Sequence, residues 1–158
     1  MSDILCLYAT RTGNTERVMR KIGKELSAEV AKISDGKNYA GAFGFIKAIF
    51  RTYSKKDLAL IPPKTEKPLN EYSRIIIGFP IWCERVSPVA KAFAEKYKED
   101  MTGRVTLVAT HMSDLPYSEQ INKLYSLLGK EPDGIFSIQT ESNGVSDEKL
   151  KPILEKLQ

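Results

Sequence analysis

The sequence predicts an α/β fold in which a doubly wound, five-stranded parallel sheet lies between helices on both faces, giving three layers. Short apolar segments recur at even intervals along the 158 residues, and segments with helical periodicity lie between them. The run Ile75-Ile76-Ile77 is apolar on both faces of its strand, which is typical of a parallel sheet covered on both sides. Right-handed crossovers and a count of five strands favour the order 2-1-3-4-5.

The five predicted strands are short apolar or alternating segments bounded by polar residues or glycine. They cover residues 4–9, 29–33, 74–79, 104–109 and 134–139. In the order 2-1-3-4-5 the winding reverses between strands one and three, and ligands bind outside the carboxyl ends of these strands. The loops that follow strands one, three and four are therefore the candidate site.

Four helices are predicted from apolar residues spaced three or four positions apart. They cover residues 16–26, 88–97, 120–128 and 146–157. Ser87 is a suitable N-cap for the second of these, with Pro88 at its first helical position. Pro152 lies inside the last one, which predicts either a kink or a late helix start near Lys151.

The crossover between strands two and three is the irregular part of the chain. It contains a basic amphipathic stretch at residues 40–56 and then a loop punctuated by prolines. Such a stretch fits a membrane-surface helix, a partner-binding helix or a second crossover helix. The preferred interpretation is the crossover helix, with its apolar face on the sheet, its lysines outward and its basic end available to an acidic redox partner.

Composition places the chain among single-domain proteins, so we expect residues 1–158 to form one domain. Hydrophobic residues make up 42% and charged residues 28%, and no apolar run approaches the roughly 18 residues that span a bilayer. The net charge is only +4, and no nucleic-acid-binding motif accompanies it. Two distant cysteines indicate neither a disulfide framework nor a metal site, and the N-terminus does not resemble a secretory signal. We therefore expect a cytoplasmic protein with no membrane span, no nucleic-acid partner and no bound metal.

The loop after the first strand has the composition of a phosphate site. Four hydroxyl or amide side chains and one glycine fall within six positions, immediately before a helix; the segment is Thr10, Arg11, Thr12, Gly13, Asn14 and Thr15. Backbone N–H groups, hydroxyl donors and the positive end of a helix dipole all favour an anion there. The segment lacks the ending of a P-loop and is not G-x-G-x-x-G.

The loop after the third strand is apolar and aromatic, which is unusual for a loop. It contains Pro80, Ile81, Trp82, Cys83, Glu84 and Arg85, including the only tryptophan. A flat aromatic ligand explains this composition, either stacked on Trp82 or edged by the backbone; alternatively, Trp82 packs on the sheet edge or on a helix. Cys83 is either a reactive thiol beside such a ligand or an ordinary loop cysteine.

The loop after the fourth strand carries the only histidine. His111, Met112 and Ser113 lie where a ligand bound between the first two loops would have its further wall. The alternative is a half-exposed histidine without a role in binding. No catalytic residue is predicted in any of the three loops.

The segment Thr10-x-Thr12-Gly13-Asn14-Thr15 resembles the phosphate loop of flavodoxins. The segment Gly78-Phe79-Pro80-Ile81-Trp82, with the Ser87-Pro88 helix start and Phe93, is similar to the G-x-P-x-W segment of short flavodoxin-like flavoproteins. The stretch Gly41-Ala42-Phe43-Gly44-Phe45-Ile46 also resembles a second-helix segment in that group. These similarities occur in chain order and cover nearly the whole sequence.

The resemblance implies that the chain binds FMN without a covalent bond. It places the phosphate at Thr10–Thr15 and the isoalloxazine ring between the loops at 80–86 and 110–113. It further implies an electron-transfer protein that passes electrons between redox partners; the alternative is an NAD(P)H-dependent FMN or quinone reductase of the same fold. Electron-carrier flavodoxins are acidic, whereas this chain is basic and carries Arg11 within the phosphate loop.

Overall fold

The computed structural model describes residues 2–54, 58–142 and 144–158. Five parallel strands form the sheet, in the spatial order β2-β1-β3-β5-β6, and a sixth short strand, β4, pairs with β3. The strands are β1 (Ile4–Tyr8), β2 (Glu29–Lys32), β3 (Arg74–Trp82), β4 (Arg85–Val86), β5 (Arg104–His111) and β6 (Gly134–Gln139). Because β4 is an addition after the third strand, this order is the predicted 2-1-3-4-5 order, which is confirmed.

The helices cover both faces of the sheet. They are α1 (Asn14–Glu25), α2 (Gly41–Tyr53), α3 (Pro88–Tyr97), α4 (Ser118–Leu128) and α5 (Asp147–Leu157). Alternate side chains of β1 explain the two apolar cores: Leu5 and Leu7 belong to the core that contains residues of α2, α3 and α4, whereas Cys6 packs with α1 and α5. The three predicted layers are therefore present.

The third strand is longer than predicted. The sequence predicts a strand that ends at Phe79 and a loop from Pro80, but β3 continues to Trp82 and turns into β4. The backbone pairs Ile81 with Val86 and Trp82 with Arg85 in antiparallel fashion. The predicted aromatic loop is thus mostly a β-hairpin, because its own second half supplies the hydrogen-bond partners that the parallel sheet cannot.

The last helix begins before Pro152, so the predicted late start near Lys151 does not occur. Helix α5 starts at Asp147, and the Ser146 hydroxyl accepts a hydrogen bond from the Lys149 N–H as an N-cap. Pro152 lies within the helix, so a start near Lys151 is wrong.

Helix α2 occupies the predicted place, but the preferred prediction for its apolar face is wrong. Phe43 and Phe50 are 84% and 74% exposed, and the helix buries the small residues Gly44 and Ala48 instead. Small side chains allow a helix backbone to approach the core closely, which hydrophobic periodicity alone does not report. Among the described residues, no helix has both the length and the apolarity needed to cross a membrane.

Candidate functional site

The three segments identified in the sequence lie together at the carboxyl edge of the parallel sheet. They follow β1, β3 and β5, which are neighbours in the sheet. The register places Tyr8 beside Gly78 and Pro80 beside Thr110, so the strands end at nearly the same level. Parallel pairing therefore brings residues about 100 positions apart in sequence into one site.

The loop between β1 and α1 leaves the first turn of the helix open. Gly13 is the N-cap, with φ +93° in the left-handed region that glycine adopts at little cost. No side chain among the described residues caps this end, although the Gly13 N–H bonds to Thr10 Oγ1 at 3.0 Å. The first N–H groups of a helix have no partner within it. Helix α1 therefore presents N–H donors that have no partner among the described residues, together with the positive end of its dipole, beside Thr12, which is exposed.

Two arginine side chains lie beside this helix start. Arg17 Nη1 donates to Asn14 Oδ1 at 2.9 Å. A Cβ placed on Gly13 would lie 3.8 Å from Arg17 Cζ, so the guanidinium lies against the loop. The guanidinium of Arg11, two residues before Gly13, lies over the Phe45 ring of α2, with its Cζ 5.4 Å from the ring centre. Arg17 was missed by the sequence argument because it belongs to the predicted helix; its position one turn after Gly13 is the signal that identifies it.

Thr15 is buried and ties the first loop to the end of β5. Its hydroxyl lies 2.7 Å from the hydroxyl of Thr110, and Thr110 Oγ1 is also 3.4 Å from the Phe79 carbonyl oxygen. With Thr110 donating to that carbonyl, Thr15 becomes the donor to Thr110. This chain of hydrogen bonds holds the loop between β1 and α1 in register with β3 and β5, a role that the sequence did not reveal for Thr110.

The Trp82 side chain packs inward. It is 6% exposed, and its ring lies 5.1 Å from that of Tyr39 at an interplanar angle of 53°. The Tyr39 hydroxyl donates to Asp35 at 2.6 Å, and burial, assisted by that carboxylate, raises the pKa of Tyr39. Trp82 Nε1 and the buried Ser87 Oγ have no hydrogen-bond partner among the described residues. The buried indole therefore packs the hairpin against Tyr39, and its Nε1–H donor has no acceptor among the described residues.

The tip of the hairpin is exposed and has an unusual backbone. Cys83 and Glu84 both have positive φ, at 45° and 60°, as a two-residue type I′ turn requires, although neither is glycine or asparagine. Arg85 lies with its Cζ 4.6 Å from the centre of the Tyr53 ring of α2. Behind this tip, an open groove of about 1030 Å³ extends towards α3 and α4.

The third segment is held by its own hydrogen bonds. His111 Nδ1 lies 2.7 Å from the Ser113 carbonyl oxygen, which can only accept, so this nitrogen carries the proton. His111 Nε2 lies 2.8 Å from Ser137 Oγ, and the ring packs on Tyr117 at 5.0 Å. The Tyr117 hydroxyl in turn contacts Ser113 Oγ at 2.8 Å. His111 therefore fixes the conformation of this segment, in which Met112 is 62% exposed and Ser113 is also exposed.

The arrangement fits anion binding better than metal or thiol chemistry. Among the residues that the structure describes, no three His, Cys, Asp or Glu side chains could together hold a metal ion. Cys6 lies in the interior, and burial raises the pKa of its thiol to about 12. Cys83 is exposed at the hairpin tip. The groups at this edge that suit an anion are thus the open start of helix α1 and the side chains of Arg11 and Arg17.

No protein-family model matches the chain, and no curated protein sequence matches it significantly. Solved structures do. A Bacteroides uniformis protein named as a putative flavoprotein is 21% identical, with a TM-score of 0.75 over 96% of this chain and 97% of that one. A flavoprotein from Lactobacillus acidophilus, solved in complex with FMN, is 22% identical, with a TM-score of 0.70 over 85% of this chain and 91% of that one.

A third similar structure is described as a flavodoxin, a WrbA-like protein from Agrobacterium tumefaciens. It is 15% identical, with a TM-score of 0.59 over 98% of this chain and 90% of that one. At these identities the likeness shows a shared fold, and it extends over nearly the whole chain. The fold expected from the sequence is thereby confirmed.

Proposed function

We propose that this chain, which has the flavodoxin-like fold, binds FMN non-covalently and transfers electrons between redox partners. The observation that carries the proposal is the start of α1, where no described side chain caps the helix and the guanidinium of Arg17 lies against Gly13. A dianionic phosphate ester matches this set of donors in charge and in hydrogen bonding. The FMN complex of the similar Lactobacillus flavoprotein supports the choice of ligand.

The residues present fit each part of FMN. Thr12, Arg11 and Arg17, together with the first N–H groups of α1, would hold the phosphate; Asn14 positions Arg17 through its 2.9 Å hydrogen bond. Thr15, whose hydroxyl is already bonded to Thr110, would support the loop from beneath.

The ring would lie between the hairpin and the segment His111–Ser113. The exposed residues of the hairpin tip (Cys83, Glu84 and Arg85) and Met112 would form its walls, with Pro80 and Ile81 at the base. Bound FMN supplies the electron-accepting ring, and the protein supplies position, exclusion of water and charge. Trp82 faces the Tyr39 side of the hairpin, so its part in the site is to hold the hairpin in place.

Titration of the purified chain with FMN tests the proposal. We expect quenching of flavin fluorescence with one site per chain, and much weaker binding of riboflavin, which lacks the phosphate. Replacing Thr12 by Ala should weaken FMN binding by the value of one charge-assisted hydrogen bond, about 1.5–3 kcal/mol. Equal affinity for FMN and riboflavin would contradict the proposed phosphate site.

The alternative is an NAD(P)H-dependent FMN or quinone reductase. The observation that favours it is the groove of about 1030 Å³ behind the hairpin tip, whose lining has a basic excess: Arg51, Arg85, Lys91 and Lys123 against Glu84 and Glu95. A groove of that size and charge could receive a nucleotide. Steady oxidation of NADPH by the FMN-loaded chain with a quinone, and without a partner protein, decides for the reductase; its absence decides for the carrier.

A further inference from the structure

Helix α2 presents its large apolar residues to solvent. Phe43, Ile46, Phe50 and Tyr53 follow one another at spacings of three, four and three residues, and so lie along one side of the helix. All four are exposed, at 84%, 49%, 74% and 57%. We call these four residues the α2 stripe.

The orientation of the helix is fixed by its opposite face. A Cβ added to Gly44 would lie 2.3 Å from the carbonyl carbon of Tyr39, which is backbone and cannot move aside. Ala48, one turn later, is 3% exposed. The helix therefore sits on the core through a glycine and an alanine, and the exposure of the stripe follows from that packing.

The α2 stripe exposes a larger continuous apolar area than single exposed apolar residues do. With about 200 Å² for a fully exposed large side chain, its four members expose about 500 Å² of mostly apolar surface. The largest apolar patch on a monomeric protein covers about 300–600 Å² and is often functional. A specific interface buries about 800 Å² on each partner. The stripe and its polar rim are thus the right size for the centre of one interface.

Contacts at the two ends of the helix connect the stripe to the proposed cofactor site. Phe45, in the same turn as Ile46, lies against Arg11 of the phosphate loop. Tyr53, the last member, lies against Arg85 of the hairpin. A protein that covers the stripe therefore lies at the rim of the two loops between which the flavin would bind.

The charges around the α2 stripe favour one of three possible binding partners: a second copy of the chain, a membrane surface or an acidic protein. Helix α2 contains no acidic residue, Lys47 is exposed beside Phe43, and Arg11 and Arg85 flank the ends. A second copy would bring these cations against the same cations, which opposes association. A membrane-surface helix carries a charged face opposite its apolar face, whereas here that face is Gly44 and Ala48 packed on the core. A partner with an apolar surface ringed by carboxylates satisfies both the stripe and its rim.

We propose that the α2 stripe is the docking surface for an acidic redox protein that exchanges electrons with the flavin. This inference rests on the proposed function. In the direction tested here, one electron leaves the reduced cluster of an iron–sulfur partner and enters the bound flavin, so one partner molecule is oxidised for each electron taken up.

The test uses the FMN-loaded chain and an acidic plant-type [2Fe–2S] ferredoxin as the probe. Reduced ferredoxin is mixed anaerobically with the oxidised flavoprotein in a stopped-flow instrument, and flavin absorbance reports the second-order rate. The double variant F43S/F50S removes two aromatic residues of the stripe. The matched control is Ile135→Ser, because Ile135 is an exposed apolar residue of β6. Each variant is first titrated with FMN and reduced chemically.

We expect F43S/F50S to lower the rate by roughly tenfold or more, as the loss of two central anchors does in other interfaces, while Ile135→Ser leaves it unchanged. Lys47→Glu should lower it as well, and the wild-type rate should fall with added salt. FMN affinity and chemical reduction should be the same in all four proteins.

Other outcomes overturn the proposal in distinguishable ways. If the wild-type chain does not bind FMN, the proposed function itself fails. If FMN binds but the ferredoxin reduces all variants equally, or reduces none, the docking surface fails alone. A wild-type dimer that F43S/F50S dissociates would assign the stripe to a second copy, and binding to phosphatidylserine vesicles that F43S/F50S abolishes would assign it to a lipid surface.

Discussion

The proposed contribution of Arg17 to phosphate binding can be measured by replacing it with methionine. The change removes the guanidinium that lies against Gly13 but keeps most of the aliphatic length, so the helix should be little affected. A charge-assisted hydrogen bond contributes about 1.5–3 kcal/mol, and the exposure of Arg17 reduces this to about 1–2 kcal/mol. FMN should therefore bind roughly 5–30-fold more weakly to Arg17→Met.

A matched control separates this local contact from net charge. Arg20 is on the same helix, but its guanidinium pairs with Glu16 at 2.8 Å. Arg20→Met removes the same charge one turn further from Gly13, so the long-range loss is similar and the direct contact is intact. We expect Arg20→Met to change FMN affinity less than twofold at 0.15 M salt, where charges more than about 8 Å apart are screened.

Comparing FMN with riboflavin completes a double-mutant cycle, in which the phosphate is the second group removed. Riboflavin shares the ring and the ribityl chain but not the phosphate, so Arg17→Met should leave its affinity nearly unchanged. The difference between the two ligands isolates the coupling of Arg17 to the phosphate. Isothermal titration of both proteins with both ligands gives this value directly. Equal losses for FMN and riboflavin would refute the reasoning, because Arg17 would then act on folding or on the ring.

Three further substitutions test other parts of the structure. Trp82→Phe removes a buried indole N–H that has no partner among the described residues but leaves a cavity beside the smaller ring, so urea unfolding should show a net loss of stability below about 2 kcal/mol. Gly44→Ala forces a methyl group against the Tyr39 backbone and should destabilise the chain by about 1–3 kcal/mol, with faster hydrogen exchange in α2. The hydrogen bond from Arg74, 2.5 Å from Asp133, holds the pKa of that carboxyl below its ordinary value of 3.8. This stabilisation is present above that value and is lost as the pH falls through the folded pKa, so the stability advantage over Asp133→Asn should shrink from pH 5 to pH 3.

Each of these expectations has an outcome that contradicts it. A loss well above about 2 kcal/mol in Trp82→Phe would exceed the cost expected for the cavity and would mean that the indole N–H has a partner. Wild-type stability in Gly44→Ala would mean that α2 does not lie close to Tyr39. A constant difference between wild type and Asp133→Asn across the same pH range would mean that the carboxyl has the same pKa folded and unfolded.

The sheet could be predicted from the sequence because its signals are local and redundant. Runs such as Ile75–Ile77 are too apolar for any surface position, and crossover handedness then leaves few orders. The meeting of the three candidate loops followed from that order, since parallel strands end at one edge. The hairpin could not be read in the same way: Pro80 interrupts strand signals, and the pairing of Trp82 with Arg85 depends on a turn whose residues, Cys83 and Glu84, are not typical of it.

The contacts within the site were less predictable than its position. Thr15 was expected to offer its hydroxyl to a ligand, but the hydrogen-bond partner of that hydroxyl is Thr110, 95 residues away in sequence. Only the register of β1, β3 and β5 brings the two residues together. Arg17 was overlooked because sequence position assigns it to a helix surface. Side-chain direction, set by the turn after Gly13, brings its guanidinium back over the loop.

Helix α2 shows where hydrophobic periodicity misleads. Periodicity reports that one face is apolar, and the usual inference is that this face is buried. Here the competing face carries Gly44 and Ala48, and close approach to Tyr39 favours burying that face. The large apolar residues of α2 are then left exposed to solvent. An exposed apolar surface of this size is often a binding site that a partner covers. The same amphipathic pattern thus has two structural solutions, and the small residues decide between them.

Arg11 joins the two functional proposals in one side chain. It belongs to the loop assigned to the phosphate, and its guanidinium lies over Phe45 beside the α2 stripe. If Arg11 binds the FMN phosphate and also touches the docked partner, the two binding equilibria are coupled, and the coupling is reciprocal: a partner that draws Arg11 towards the stripe weakens FMN binding by the same factor by which FMN weakens partner binding. If Arg11 instead contacts both at once, each strengthens the other. The sign of this linkage therefore follows from the geometry of one arginine.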